Sequence, residues 1–573
     1  MRHLCKAIVM AFLTTAAFGQ LTMDQKISDF QNVVGVYNKN YGPYEWKRDA
    51  LGFDLLDIAP WLDKIRATKN DLDFYEVMVS YVASLNDAHD FYGVPSNFVA
   101  RLNFGVDLYD GKLLVDTINR TRLPVSEFPF LIGYQLESID GMDAQVILDG
   151  LLQYEIAANP RSTRRLAAQL LTVRPQSLMP HAADVPDVST VVFRRPDNSL
   201  EIYRIPWTKS GLPLINVGKY ITPTAGKDRQ ADAGDAGSDI IPEYMAPLMS
   251  LWNCQLPDRA VNGFGAQLPI FAGSMPAGFT LRLGRAPADI FYSGNFEAAG
   301  YKIGFIRIPS FAPANTTAAL TAFRREIDFF EQNTDGLIVD IMRNPGGSVS
   351  YLNQIVSLLI PTTWRSIAFE VRATSSWVVA ISSTIEQAKA QGAPQAIIDL
   401  LQAIKDEIVA ANRARRGRTR PIPLDDFTID RSPARDEKGN VIAYDKPLMV
   451  LVDDLSASGG DAFAATIQDN LRGPLLGWRT MGAGGNVVAW EAGSYSLGII
   501  RVTQSLMNRK NAISTVGYAT APYVENIGVH PEILVDYMTR ENLMQDGKSF
   551  VDTFVGAMVD HLERGRRAKR GRP

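Results

Sequence analysis

Apolar residues recur at three- and four-residue spacing over residues 51–65 and 71–85, which predicts amphipathic helices. The pattern stops in LNDAHDFYG, where Gly93 and Pro95 break it. Residues 20–100 are therefore expected to form an N-terminal helical region. Over residues 101–216 short β-rich runs take over, at 102–108, 112–118, 190–194 and 201–205. Between them, YQLESIDGMDAQVILDGL reads as a strand (136–139), a tight Asp140-Gly141 turn and a helix (144–151). Residues 217–298 lose the pattern. They are rich in Gly, Pro, Ala and Asp, and AGKDRQADAGDAGSD predicts a flexible insertion or linker. From residue 299 strands and helices alternate: KIGFIRIPSF, a helix over 317–333, the continuous apolar run DGLIVDIM, and a helix over 351–359. One long helix over 384–412, the run PLMVLVDD and a helix ending at Gln468 follow. Strands that apolar are expected to be buried on both faces. The order implies βαβ units and an α/β core over 299–540 with a mostly parallel sheet. Residues 541–573 read as a C-terminal helix and a frayed basic tail, HLERGRRAKRGRP.

The fold class is thus a multidomain α/β protein. Its 573 residues agree, being too many for one domain. Residues 1–19 change the compartment: Arg2 and Lys6 precede a short apolar run, and Ala17 and Gly19 are spaced for signal-peptidase cleavage before Gln20. A secreted or periplasmic protein is expected, with an uncleaved anchor as the alternative. No later run approaches the roughly 18 apolar residues of a membrane span. Cys5 leaves with the signal, so Cys254 stands alone and no intrachain disulfide can form. It reads as an ordinary cysteine rather than a catalytic thiol, because no histidine is near it in sequence. With 58 Lys+Arg against 62 Asp+Glu there is no basic field, and nucleic acid is not an expected partner. Four mature histidines and one cysteine do not cluster, so neither a metal nor an organic cofactor is expected.

Reactive groups in α/β sheets collect at the carboxyl ends of strands. Two such ends stand out. In DIMRNPGGS, Gly346 and Gly347 let the backbone approach a ligand closely and turn N–H groups toward an anion. In PLMVLVDDLSASGGD, Ser458 sits at the start of a helix, where backbone amides favour negative charge. Alone, the first is also an ordinary turn. In the second, Ser456, Ser458 and Asp461 are also good helix caps.

In this order, about a hundred residues apart, the two motifs resemble the C-terminal processing peptidase superfamily. The strand-turn-helix at 136–151 is similar to the late part of a PDZ module, the companion domain of that superfamily, and marks 101–216 as PDZ-like. In the Ser-Lys branch the lysine base lies 25 residues after the serine, a position held here by Ala483, and no lysine occurs from Pro447 through Met507. SGGD, LLGWRTMGAGG and VENIGVHPEI instead resemble the Ser-His-Glu branch, which includes the tricorn core protease and the chlamydial protease-like activity factor. That resemblance implies Ser458 as nucleophile, Glu525 as the acid, and His89 of LNDAHDF as the base. It also implies Gly459 with Gly346 or Gly347 as oxyanion donors; Asp469 matches a supporting acidic position of the Ser-Lys branch, or is a helix-surface charge. Gly459-Gly460 and Met481 stand where relatives often carry larger or aromatic residues.

Of His89, His181, His530 and His561, His89 fits a base best; its alternative is a helix-end histidine held by Asp87 and Asp90. The expectation is an exported serine endopeptidase acting on proteins or peptides through an acyl-enzyme, with room for a homodimer. Two rivals remain: a non-catalytic peptide- or ligand-binding scaffold, and a Ser-Lys enzyme with a displaced lysine such as Lys510. The 217–298 insertion is either a surface loop or a segment covering the cleft.

Overall fold

The computed structural model describes residues 20–216, 253–255, 263–424, 428–515 and 518–570. The signal sequence and most of the 217–298 insertion lie outside the described residues.

Four helices open the chain: Met23–Asn40, Tyr44–Leu51, Ala59–Arg66 and Asp71–Ala83. The run expected over 51–65 is split. Gly52 takes a left-handed φ of 67° and ends one helix, and Pro60 opens the next in its first turn. Phe30, Val33, Tyr37, Phe74 and Met78 of these helices share a core with Ile500 and Val502, more than four hundred residues away in sequence. The same seam carries a strand pair, Tyr92–Gly93 antiparallel to Ile499–Thr503. Asp29 binds it further, accepting hydrogen bonds from the backbone of Ser494, Tyr495 and Ser496. The helical region is therefore packed into the core rather than appended to it.

The second unit is an antiparallel sheet of Phe104–Tyr109, Lys112–Ile118, Gln135–Ile139, Val188–Arg194 and Leu200–Pro206. The Asp140-Gly141 turn has φ of 52° and 80°, as a tight hairpin between paired Ile139 and Met142 requires. Helices Ala144–Leu151 and Pro160–Gln169 cover this sheet.

The third unit holds a seven-stranded mixed sheet. Tyr301–Arg307, Gly336–Asp340, Leu448–Val452, Leu475–Gly477 and Ile533–Leu534 run parallel in that order. Thr280–Leu283 and Tyr292–Ala298 add antiparallel to its edge. The insertion expected over 217–298 is thus shorter than its composition suggests. Phe291 and Phe296 bury into the cores on either side of this sheet, while the Gly- and Ala-rich text around them masks the strand pattern. The helix expected over 384–412 is likewise two helices, Ser375–Ala390 and Gln395–Arg413, folded into a hairpin. Gly392 (φ 69°) and Pro394 make the turn. At the C-terminus the basic tail is not frayed as far as Arg570: one helix, Lys548–Arg570, lays Phe550, Phe554, Met558 and Leu562 on the sheet.

A buried ion-pair seam joins the second and third units. Arg165 contacts Asp107 at 2.8 Å and Asp454 at 2.6 Å, and all three side chains are buried. Arg161 adds contacts to Asp454 and Asp536, and Ser162 donates to the carbonyl of Asp454. Asp454 lies four residues before Ser458, so this seam braces the loop that carries the candidate chemistry.

Candidate active site

Strand Leu448–Val452 runs fully buried into the loop 453–458, and helix Gly459–Asp469 begins directly after it. Ser458 sits at this junction with φ 56° and ψ −109°. A non-glycine residue in that region is strained by about 1–3 kcal/mol and persists only where its surroundings fix it. Asp461 supplies much of that fixing. One oxygen accepts from Ser458 N at 2.7 Å and Ala483 N at 3.0 Å. The other accepts from Gly482 N at 2.9 Å and from the Thr480 hydroxyl. Burial pushes the Asp461 carboxyl up to about 6 despite these donors. Ala483, the position of the lysine in the Ser-Lys branch, is therefore a backbone donor in this structure. Lys510 is exposed, and its backbone N–H meets Asp469 at 3.2 Å, so a displaced Ser-Lys dyad is not formed.

The Gly-rich turn lies against the loop 453–458. Ala457 N donates to Asn344 O at 2.9 Å. A Cβ placed on Gly459 would come within 3.0 Å of both Gly346 Cα and Gly347 N. Gly346 and Gly347 have φ of 94° and 143°, and a Cβ at Gly347 would run into the backbone of Phe311. The three glycines are thus brought together, as their motifs predict. One detail differs: Gly346 N donates to Asn344 Oδ1 at 2.8 Å, an internal bond that turns this N–H away from an oxyanion. Residues Asn253–Gln255 pair antiparallel with Gly346–Ser348, so an extended segment of this same chain runs along the turn.

His89 reaches the same point from the N-terminal region. Its Nε2 lies 2.8 Å from Ser458 Oγ, and both side chains are buried. The loop before it is held on every side. His89 N donates to Asp87 Oδ1 at 2.9 Å. The hydroxyls of Tyr41 and Thr503 donate to Asp87 at 3.0 and 3.1 Å. The carbonyl of Asn86 accepts from Lys47 Nζ at 2.7 Å and from Asn526 Nδ2 at 2.9 Å. The local hydrogen bonds expected as an alternative for His89 do exist, and they coexist with its contact to Ser458.

Glu525 is fully buried in the turn after strand Tyr518–Tyr523. Gly484 N donates to it at 2.8 Å and Lys47 forms a buried ion pair with it. Burial and the Asp87 charge push its carboxyl up to about 7, while Lys47 pulls it down. Asp469 stands at the far end of the nucleophile helix, roughly 15 Å along the axis from its start. It pairs with Arg509 at 2.7 Å and has no part in the Ser458 cluster. An acid at a helix C-terminus is unfavourable unless a cation answers it, which Arg509 does.

Lys47, Asp454, Arg165 and Asn344 carried no signal in the sequence. Lys47 lies in the helix Tyr44–Leu51 and is buried where the N-terminal helices dock against the 525 turn. Asp461 had a signal, since it is the fourth residue of a capping box, but that pattern does not announce the loop 480–483 as its partner.

Comparison with known proteins agrees with this anatomy. Residues 302–533 match the model of peptidase family S41, and residues 99–213 match a PDZ domain. A protein of Chlamydia pneumoniae is 25% identical over 596 residues, covering 93% of this chain and 90% of its own length. One of Chlamydia trachomatis serovar D is 23% identical over 579 residues, covering 93% and 92%. Mature CPAF complexed with lactacystin superposes with a TM-score of 0.72 at 22% identity, covering 95% of this chain and 99% of that one. That likeness is one of fold.

Proposed function

For a chain that carries a peptidase family S41 domain and is a serine peptidase, we propose a Ser458-His89-Glu525 mechanism of peptide-bond hydrolysis. The observation that carries it is the 2.8 Å contact between His89 Nε2 and Ser458 Oγ. A serine hydroxyl is a poor nucleophile near neutral pH and needs a base within hydrogen-bond reach. His89 Nε2 takes the proton as Oγ bonds to the scissile carbonyl carbon, and the carbonyl π electrons move onto its oxygen. The N–H groups of Gly347 and Gly459 receive that oxyanion. His89 then returns the proton to the leaving amine, and water repeats the sequence on the acyl-enzyme. Glu525 is the third member: through Lys47, which also grips the carbonyl of Asn86, it anchors the loop that holds His89.

Protein or peptide substrates fit a peptidase domain with a PDZ companion. Export through residues 1–19 belongs to the same proposal, and N-terminal sequencing of secreted material should begin at Gln20. Among the described residues no helix is long and apolar enough to cross a membrane. The contact between His89 and Ser458 favours catalysis over a non-catalytic binding scaffold. The test is covalent labelling by a fluorophosphonate probe. The wild type should label, and Ser458→Ala and His89→Ala should not; equal labelling of all three refutes the proposal.

A further inference from the structure

Three carboxyl groups crowd the buried space behind His89: Asp87 and Asp90 on its own loop, and Glu525 on the 525 turn. Lys47, from the second helix, is the cation among them, and Tyr37 and Tyr41 of the first helix and its end complete the surroundings. The charges are not equivalent. Lys47 is committed to Glu525, and its remaining contacts are Asn526 Oδ1 at 2.6 Å and the Asn86 carbonyl at 2.7 Å. Lys47 thus offsets the Glu525 charge wherever that carboxyl is ionised. Asp90 is driven toward its protonated form by burial and by the Asp87 charge. Asp87 accepts from three donors, His89 N, Tyr41 OH and Thr503 Oγ1. Its Oδ1 stands 4.0 Å from His89 Nδ1, beyond hydrogen-bond length and within range of a strong charge effect.

We propose that Asp87, rather than Glu525, is the carboxylate whose charge faces His89, making it the positioning residue that orients the ring and stabilises its imidazolium. This rests on the Ser458-His89 reading above and divides the work of the acids within it. When Ser458 Oγ bonds to the carbonyl carbon, its proton passes to His89 Nε2, and the ring becomes a cation beside Asp87. Glu525 and Lys47 act as a brace for the loop.

The experiment follows the second-order rate of fluorophosphonate labelling against pH, which needs no knowledge of the substrate. Four proteins are compared: wild type, His89→Ala, Asp87→Asn, and the double variant Lys47→Met with Glu525→Gln. The wild-type rate should rise with the titration of one group. Asp87→Asn should move that apparent pKa down by about 1–2 units, as loss of a neighbouring opposite charge does. It should also lower the upper plateau by tenfold or more. The double variant should slow labelling yet leave the apparent pKa within about half a unit of wild type, because the two charges it removes offset each other. An unchanged apparent pKa in Asp87→Asn overturns the proposal. So does a fall of a unit or more in the double variant, and this arm stands even if Asp87→Asn fails to fold. Undiminished labelling of His89→Ala is a different failure, that of the Ser458-His89 reading itself.

Discussion

Replacing Gly459 by alanine separates catalysis from stability in a way the structure makes quantitative. The added Cβ would sit 3.0 Å from Gly346 Cα and from Gly347 N, both backbone atoms. Ordinary carbon contacts begin near 3.5–4.0 Å, so the two loops must part by about 0.5 Å or more. The backbone of Gly459 is helical, and alanine is favoured there over glycine by about 1 kcal/mol. Overpacking of a tight site costs about 1–3 kcal/mol. The two nearly offset each other, leaving a net destabilisation of about 0–2 kcal/mol. Catalysis has no such compensation. The displaced N–H groups of Gly347 and Gly459 are the proposed oxyanion donors, and loss of one such donor commonly costs about 10²–10³ in turnover. Urea unfolding should place the variant within about 2 kcal/mol of wild type. Hydrolysis of a casein or peptide substrate should fall at least a hundredfold in kcat with little change in KM. A variant that unfolds as expected and keeps turnover within threefold would refute the assignment of Gly459 and Gly347 as donors.

Other expectations follow from the buried charges and the paired segment. Glu525 is held near 7, above its unfolded value, so the folded state binds more protons than the unfolded chain between about pH 4 and pH 7. Its contribution to stability is therefore lost as pH rises through that window. Urea unfolding of Glu525→Gln relative to wild type should shift in the variant's favour by up to roughly 3 kcal/mol between pH 5 and pH 8, and a constant difference would contradict the assignment. Lys47→Met leaves Glu525 buried and unpaired and should cost about 3–5 kcal/mol in thermal or urea unfolding. Arg165→Met strands Asp107 and leaves Asp454 to Arg161 alone in the seam under the loop 453–458, and should cost a similar amount, with loss of labelling at Ser458. The strand Asn253–Gln255 occupies the edge of Gly346–Ser348, where an extended substrate would pair; a Cys254→Pro change should speed probe labelling, and an unchanged rate would make the segment a bystander.

Much of this protein is legible in its sequence because the signals are local. The turn Asp140-Gly141 and the helix that follows fell where alternation and turn chemistry put them, since a hairpin of that length needs positive φ at both positions. Strands Gly336–Asp340 and Leu448–Val452 were evident as continuous apolar runs, because a central parallel strand is buried on both faces. Boundaries failed where a short local feature outweighed periodicity, at Gly52 and at Gly392 with Pro394. They failed again at Thr280–Leu283 and Tyr292–Ala298, the strand pair at one end of the sheet, where small residues around them hid the pattern. Candidate chemistry could be named from the sequence only through motif resemblance, since each motif alone is also a turn or a helix cap.

By itself the sequence determined the elements, the motifs and the few residues able to act as nucleophile and base. The tertiary structure decided which of them meet. Ser458 and His89 are 369 residues apart in the chain, and their 2.8 Å contact depends on docking of the N-terminal helices against Ile499–Thr503. The same docking buries Lys47 against Glu525 and holds Asp87 through the Thr503 hydroxyl. The reason is physical: periodicity is set by neighbours along the chain, whereas charge, protonation and donor geometry at a buried site are set by neighbours in space.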